Sequence, residues 1–143
     1  MNNLVVTENV GKSYPLPKGT LRVFEGLDFV LERGDLVAVM GASGAGKTTF
    51  LNLLGALDRP TEGTILLDGE DIHAKGEREK ARLRNEKIGF VFQFYHLLPE
   101  FTALENVSLP LLIRGIERRD ASERALAILK EVFLEDKAHQ KPD

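Results

Sequence analysis

The chain has 143 residues, 43% of them hydrophobic, enough for one domain with a sizeable core. Its 19 basic and 22 acidic residues give a net charge of -3 without a long run of either sign, which gives no reason to expect nucleic-acid binding. There is no cysteine, so disulfides and thiolate metal sites are excluded, and apolar runs of only about five residues exclude a membrane-spanning helix.

In chain order, Met1-Asn2-Asn3 lacks the basic and apolar regions of an export signal, so a cytosolic chain is expected. Leu4–Thr7 and Leu27–Leu31 predict short strands, the second followed by a Glu-Arg-Gly-Asp turn. The apolar run Leu36–Met40 predicts a third strand, leading into Gly41-Ala42-Ser43-Gly44-Ala45-Gly46-Lys47-Thr48-Thr49. After Lys47, Phe50, Leu51, Leu53, Leu54 and Leu57 recur at helical spacing until Asp58–Gly63 breaks the pattern. Ile65–Leu67 reads as a strand closed by Asp68-Gly69, residues 77–87 as a charged helix, and Ile88–Phe92 as another strand. Thr102 and Glu105 have capping-box spacing for a helix using Leu104, Val107, Leu111 and Leu112, with Pro110 expected to disturb or end its first part. Asp120 and Glu123 have the same spacing ahead of a helix whose apolar face is Ala121, Ala125, Leu126, Leu129, Val132 and Phe133.

The run Gly41–Thr49 contains the complete G-x-x-x-x-G-K-[ST] pattern between a predicted strand and a predicted helix, the setting in which it has mechanical meaning. Glycines let the backbone curl around a polyphosphate so that successive N–H groups and the helix start face its oxygens. This assigns phosphate binding to Gly41, Ser43, Gly44, Ala45, Gly46, Lys47, Thr48 and Thr49. Lys47 would reach the terminal phosphates and the Thr48 hydroxyl would ligate Mg²⁺. Ser43 contacts phosphate or supports the loop, and Thr49 is equally suited to satisfying polar groups at the helix start. His73, His96 and His139 lack paired-ligand spacing and read as ordinary polar residues.

Taken together, Tyr14, Gly41–Thr49, Gly63-Thr64-Ile65 with Asp68-Gly69, and Gly89-Phe90-Val91-Phe92-Gln93 resemble the ATP-binding subunits of ABC transporters, in order along nearly the whole chain. Within that superfamily, residues 94–107 are most similar to the ATPases of bacterial lipoprotein-releasing transporters, with macrolide-export and cell-division branches close by. The resemblance implies an α/β P-loop nucleoside triphosphatase: an ABC ATPase domain, incomplete at residue 143, with an N-terminal antiparallel β portion and the start of a helical subdomain at about residues 94–135. It implies adenine stacking on Tyr14 in an aromatic loop, ATP and Mg²⁺ as cofactors, and Gln93 as a second Mg²⁺-side residue. It also implies a coupling surface for membrane subunits at Phe94, Tyr95, His96, Leu97, Leu98 and Pro99.

The implied partners are a second ATP-binding subunit and the transporter's membrane subunits, with lipoprotein cargo handled indirectly, at the cytoplasmic face of a bacterial inner membrane. The family's signature segment, its Walker B acidic residues and its later histidine have no counterpart here, and His139 falls too early to serve. The catalytic set is therefore incomplete, and continuation of the coding sequence beyond Asp143 is expected. A P-loop alone binds nucleotide without hydrolysing it appreciably. A non-catalytic ATP-dependent assembly module is the alternative class. A small-molecule kinase is disfavoured, because no acceptor-binding constellation is recognisable.

Overall fold

The computed structural model describes residues 2–142; Met1 and Asp143, on which the readings of a leader and of a continuation partly fall, lie outside them. Two compact units divide between Arg84 and Asn85.

The first unit is built on a four-stranded antiparallel sheet in the order β2-β1-β3-β4. Strands β1 (Asn3–Leu16) and β2 (Gly19–Glu32) form a long hairpin, β3 is Glu62–Leu67 and β4 is Glu70–Asp71. The hairpin is far longer than the two short strands predicted, because polar residues such as Glu8, Lys12 and Arg22 interrupt apolar alternation without interrupting the backbone ladder. Register shifts punctuate β1, and at the one opposite β3 Asn9 takes a left-handed conformation with φ 50°. Gly63 (φ 79°) fits against this irregularity: a Cβ there would stand 2.3 Å from the Asn9 carbonyl oxygen.

Helix α1 (Lys47–Leu54) covers the sheet through Phe50 and Leu53. Phe50 meets Phe24 and Phe29 edge-on, with ring centroids 6.1 and 5.9 Å away, an arrangement that aligns ring edge with π-face. Val5, Val10, Leu53, Ala56, Ile65 and Ile72 form the core, while Leu51 and Leu57 of the predicted apolar stripe remain about half exposed. The predicted turn after β2 forms, with Asp35 N–H donating to the Glu32 carbonyl and the Asp35 carboxylate accepting from Glu32 N–H. Helix α2 (Glu77–Lys87) runs where expected.

Two predicted strands are not strands. Leu36–Met40 and Ile88–Phe92 adopt no ladder among the described residues, and Met40 is 88% exposed. A strand exists by pairing, so apolar composition marks a segment's readiness to pair without supplying a neighbour.

The second unit holds α3 (Ala103–Ile113), α4 (Arg118–Glu131) and a 3-10 turn at Glu135–Lys137, with α3 packed on α4. The capping box forms: Glu105 N–H donates to Thr102 Oγ1 at 3.2 Å and Thr102 N–H to Glu105 Oε2 at 2.8 Å. Pro110 neither ends nor splits α3, whose assignment runs through it to Ile113; Arg114 N–H still donates to the Pro110 carbonyl. The second predicted box does not form. Helix α4 starts earlier, with Glu117 as N-cap, which places Asp120 in the first turn, where its charge suits the positive helix end. Of the predicted face, Ala121, Ala125 and Leu129 are buried, but α4 ends at Glu131 with Val132 as its cap, and Phe133 turns left-handed (φ 61°) and is 92% exposed.

Candidate nucleotide site

The sequence builds the phosphate loop from three local features. Residues 41–45 are exposed loop and Gly46 is part-buried, and the loop is tightened by Ala45 N–H donating to the Ala42 carbonyl at 3.2 Å. Gly46 then enters α1 as its N-cap with φ 87°, and Phe50 N–H closes the first helical turn on the Gly46 carbonyl at 2.8 Å. A Cβ at Gly46 would lie 2.6 Å from Val23 Cγ1 and 3.1 Å from Phe24, so only glycine combines this backbone with this approach to β2. Lys47 folds back across the loop, its ammonium donating to the carbonyls of Gly41 at 2.8 Å and Ala42 at 2.7 Å.

The first turn of α1 contains no acidic residue, so the positive end of the helix and the Lys47 charge act in the same direction on an anion. Ser43 and Gly44 form the exposed tip, Thr48 is exposed on the first turn and Thr49 is half-buried.

Tyr14 lies in β1, paired opposite Leu21, and not in a loop as expected. The hairpin extends past it because Pro15 and Leu16 continue the ladder to Gly19. The Tyr14 hydroxyl donates to Asp58 Oδ2 at 2.7 Å, and the Lys12 ammonium sits 4.5 Å from its ring centroid. The hydroxyl is pushed above its ordinary range, chiefly by that hydrogen bond, with burial and the Asp58 charge adding and the Thr49 hydroxyl opposing. Burial alone would raise Asp58, but hydrogen bonds from Lys12, Tyr14 and the Arg59 backbone outweigh it and hold the carboxyl below its usual value. The sequence marks Asp58 only as a helix stop and gives no sign of Lys12, which the fold buries directly after Val10 and Gly11 on β1.

Gln93 and Phe94–Pro99 belong to the second unit, in an exposed irregular segment. Phe94, Tyr95, Leu97 and Leu98 all show substantial apolar surface, Tyr95 being 91% exposed. His96 is held with φ 49°, its Nδ1 donating to the Phe94 carbonyl at 2.7 Å and its ring 4.8 Å from Phe92, which stacks in turn on Phe90. Asn106, a residue not singled out from sequence, anchors the end of this segment. Its Oδ1 accepts from Leu98 N–H at 2.9 Å, and its Nδ2 lies within 3.1 Å of the carbonyls of Leu98, Phe101 and Thr102.

Among the described residues no group of three or more His, Cys, Asp or Glu could hold a metal, and no helix is long and apolar enough to cross a membrane. The complete G-x-x-x-x-G-K-T run, folded as a loop onto the start of a helix with its lysine drawn back across the loop, defines a phosphate-loop protein.

Residues 24–143 match the ABC transporter family, and the chain belongs to it. The lipoprotein-releasing system ATP-binding protein LolD of Porphyromonas gingivalis is 46% identical over 97% of this chain and 62% of its own length. LolD of Pseudomonas syringae pv. tomato is 50% identical over 94% and 59%. The structure of the ATP-binding cassette MJ0796, dimeric, in a post-hydrolysis state and bound to ADP and Pi, superimposes with a TM-score of 0.88 at 38% identity, over 96% of this chain and 61% of that one. This chain thus spans about three fifths of the length of the relatives it matches.

Proposed function

We propose that this chain is the nucleotide-binding portion of an ABC transporter ATPase that powers lipoprotein release from a bacterial inner membrane. The observation that carries the reading is the phosphate loop, with Lys47 held across it by Gly41 and Ala42 and Gly46 pinned to β2, in a chain similar along nearly its whole length to LolD proteins. The loop amides from Gly41 to Gly46, with Ser43 and Ala45 at its turn, take the phosphates of ATP. Lys47 neutralises the terminal ones, and Thr48 and Thr49 line the helix start. Tyr14 carries the adenine.

Mg²⁺ fits Thr48, an exposed neutral oxygen on the first turn of α1 and a hard donor suited to an ion that keeps much of its shell as water and phosphate; the assignment of Gln93 to the Mg²⁺ side rests on the family resemblance alone. When bound, the ion neutralises phosphate charge. Residues at about 94–135, within the second unit, hold the loop after Gln93 and the beginning of the helical subdomain. Phe94, Tyr95, His96, Leu97, Leu98 and Pro99 form the face offered to the membrane subunits, and the exposed aromatic and aliphatic surface there supports that role. A second ATP-binding subunit completes the nucleotide site, as the dimeric state of MJ0796 supports, and cargo is met only through the membrane subunits, at the cytoplasmic face.

In the whole protein, Lys47→Ala is expected to weaken Mg-ATP binding by about tenfold or more, since a charged contact to phosphate is lost. Titration and turnover on folded protein check this, and unchanged values for both overturn the phosphate role. Reconstitution with the cognate membrane subunits is expected to give ATP-dependent release of a lipid-modified protein. Release of a macrolide but not of lipoprotein moves the chain to another branch of the same family.

A further inference from the structure

Lys12, Tyr14 and Asp58 form a closed network within the first unit. Lys12 sits on β1 between two register shifts, and its side chain is 9% exposed, a depth at which an ammonium needs full satisfaction. It finds Asp58 Oδ1 at 2.7 Å, the Arg59 carbonyl at 2.7 Å and the π-face of Tyr14. Asp58 is in turn shared, with Oδ2 taken by the Tyr14 hydroxyl and Oδ1 also accepting from Arg59 N–H at 2.7 Å.

The ring is therefore fixed in three ways. Its backbone is paired in the hairpin, its hydroxyl is tied to Asp58, and one face is covered by a cation. A half-exposed tyrosine without such ties samples several rotamers, and immobilising it on binding costs free energy that a fixed ring has already met in folding. The Tyr14 hydroxyl also interacts with the Thr49 side chain on α1, which sets the ring beside the phosphate loop's own helix, and a planar ring is a platform on which any aromatic base can stack.

We infer that Lys12 and Asp58 are positioning residues that hold Tyr14 ready for a nucleobase on the face opposite Lys12. The inference rests on the reading of Tyr14 as the base platform. The raised pKa of the tyrosine agrees with the geometry, since the hydroxyl stays a donor to Asp58 throughout the neutral range.

The test uses the whole protein and two probes under the same Mg²⁺ concentration: ATP, and inorganic tripolyphosphate, which lacks a base. Tyr14→Phe and Asp58→Asn are each expected to weaken ATP binding by about 3- to 10-fold, the ordering cost of one side chain, and to leave tripolyphosphate affinity unchanged. Lys12→Met should do the same, and Tyr14→Ala should lose more. Thermal unfolding accompanies each variant, and if Asp58→Asn does not fold, Tyr14→Phe, which removes a single oxygen, decides. ATP affinity at the wild-type level in Tyr14→Phe and Asp58→Asn, with Tyr14→Ala impaired, overturns the positioning role alone. Equal losses for both probes also overturn it, because a merely structural network does not distinguish base from phosphate. If Tyr14→Ala itself leaves the ratio of the two affinities unchanged, the platform reading falls and the inference with it.

Discussion

Single residues set hard limits on this fold. Gly63 has positive φ and backbone atoms of Glu8 and Asn9 where a side chain would begin, none of which can swing away. Gly63→Ala is therefore expected to destabilise the first unit by roughly 3 kcal/mol or more, read as a fall in the urea midpoint. Gly46→Ala, at φ 87° and against Val23 and Phe24 side chains rather than backbone, is expected to cost about 1–3 kcal/mol and to displace the phosphate loop. His73 provides a pH dependence. It is buried, its Nε2–H donates to the Leu53 carbonyl at 3.1 Å, and its Nδ1 has no partner among the described residues. Burial pushes its pKa below 6.5; the Lys80 and Arg59 charges act in the same direction, while the Leu53 hydrogen bond and Asp71 oppose them. The unfolded chain then binds the extra proton first as pH falls through about 6.5, so stability declines below that pH and levels off only below the folded-state pKa. Unfolding by urea across this window should show the slope, and His73→Gln should flatten it.

At the scale of elements, termini decide as much as interiors. Thr102→Ala removes the N-cap of α3 and is expected to cost about 1 kcal/mol. The Glu105 carboxyl is held below its ordinary range chiefly by the Thr102 backbone N–H, with the Thr102 hydroxyl adding. Its contribution is present above the usual glutamate pKa and is lost as pH falls through the lowered value. Asn106→Leu deprives Leu98 N–H of its acceptor and is expected to speed hydrogen exchange at Leu98 without melting α3. This element scale also shows why reading from sequence succeeded unevenly. The capping box of α3 and the glycine-lysine loop were legible because each is made by residues a few positions apart. Spacing alone did not suffice: the box expected at Asp120 and Glu123 fails because α4 begins earlier, at Glu117. The hairpin's full length, the network at Lys12 and the anchoring by Asn106 were not legible, because each depends on a partner many positions away or on a backbone kink. Pro110 misled for another reason: a proline removes one N–H, and α3, supported on both sides of it, continues through to Ile113.

At the scale of the whole molecule, apolar surface is the dominant feature of both units. Leu36 and Met40 in the first, and Val91, Phe94 and Tyr95 in the second, are far more exposed than a core-forming residue should be. The 143-residue chain is expected to bind an apolar dye such as ANS, and Met40→Glu or Val91→Glu should reduce the signal without lowering thermal stability; an unchanged signal in both variants counts against these patches. The strands expected at residues 36–40 and 88–92 were legible as composition and illegible as pairing for this same reason. The start of α3, closed by the Thr102–Glu105 capping box, has a further support whose consequence reaches beyond the folded state. The first turn of α3 is finished from far along the chain, with Ala103 N–H donating to the Gln140 carbonyl at 2.8 Å and Leu104 N–H to that of Ala138 at 2.9 Å. During synthesis the ribosome makes the front of this helix well before it makes the two carbonyls that complete it, so the helix waits in an unfinished form until residue 140 has cleared the exit tunnel.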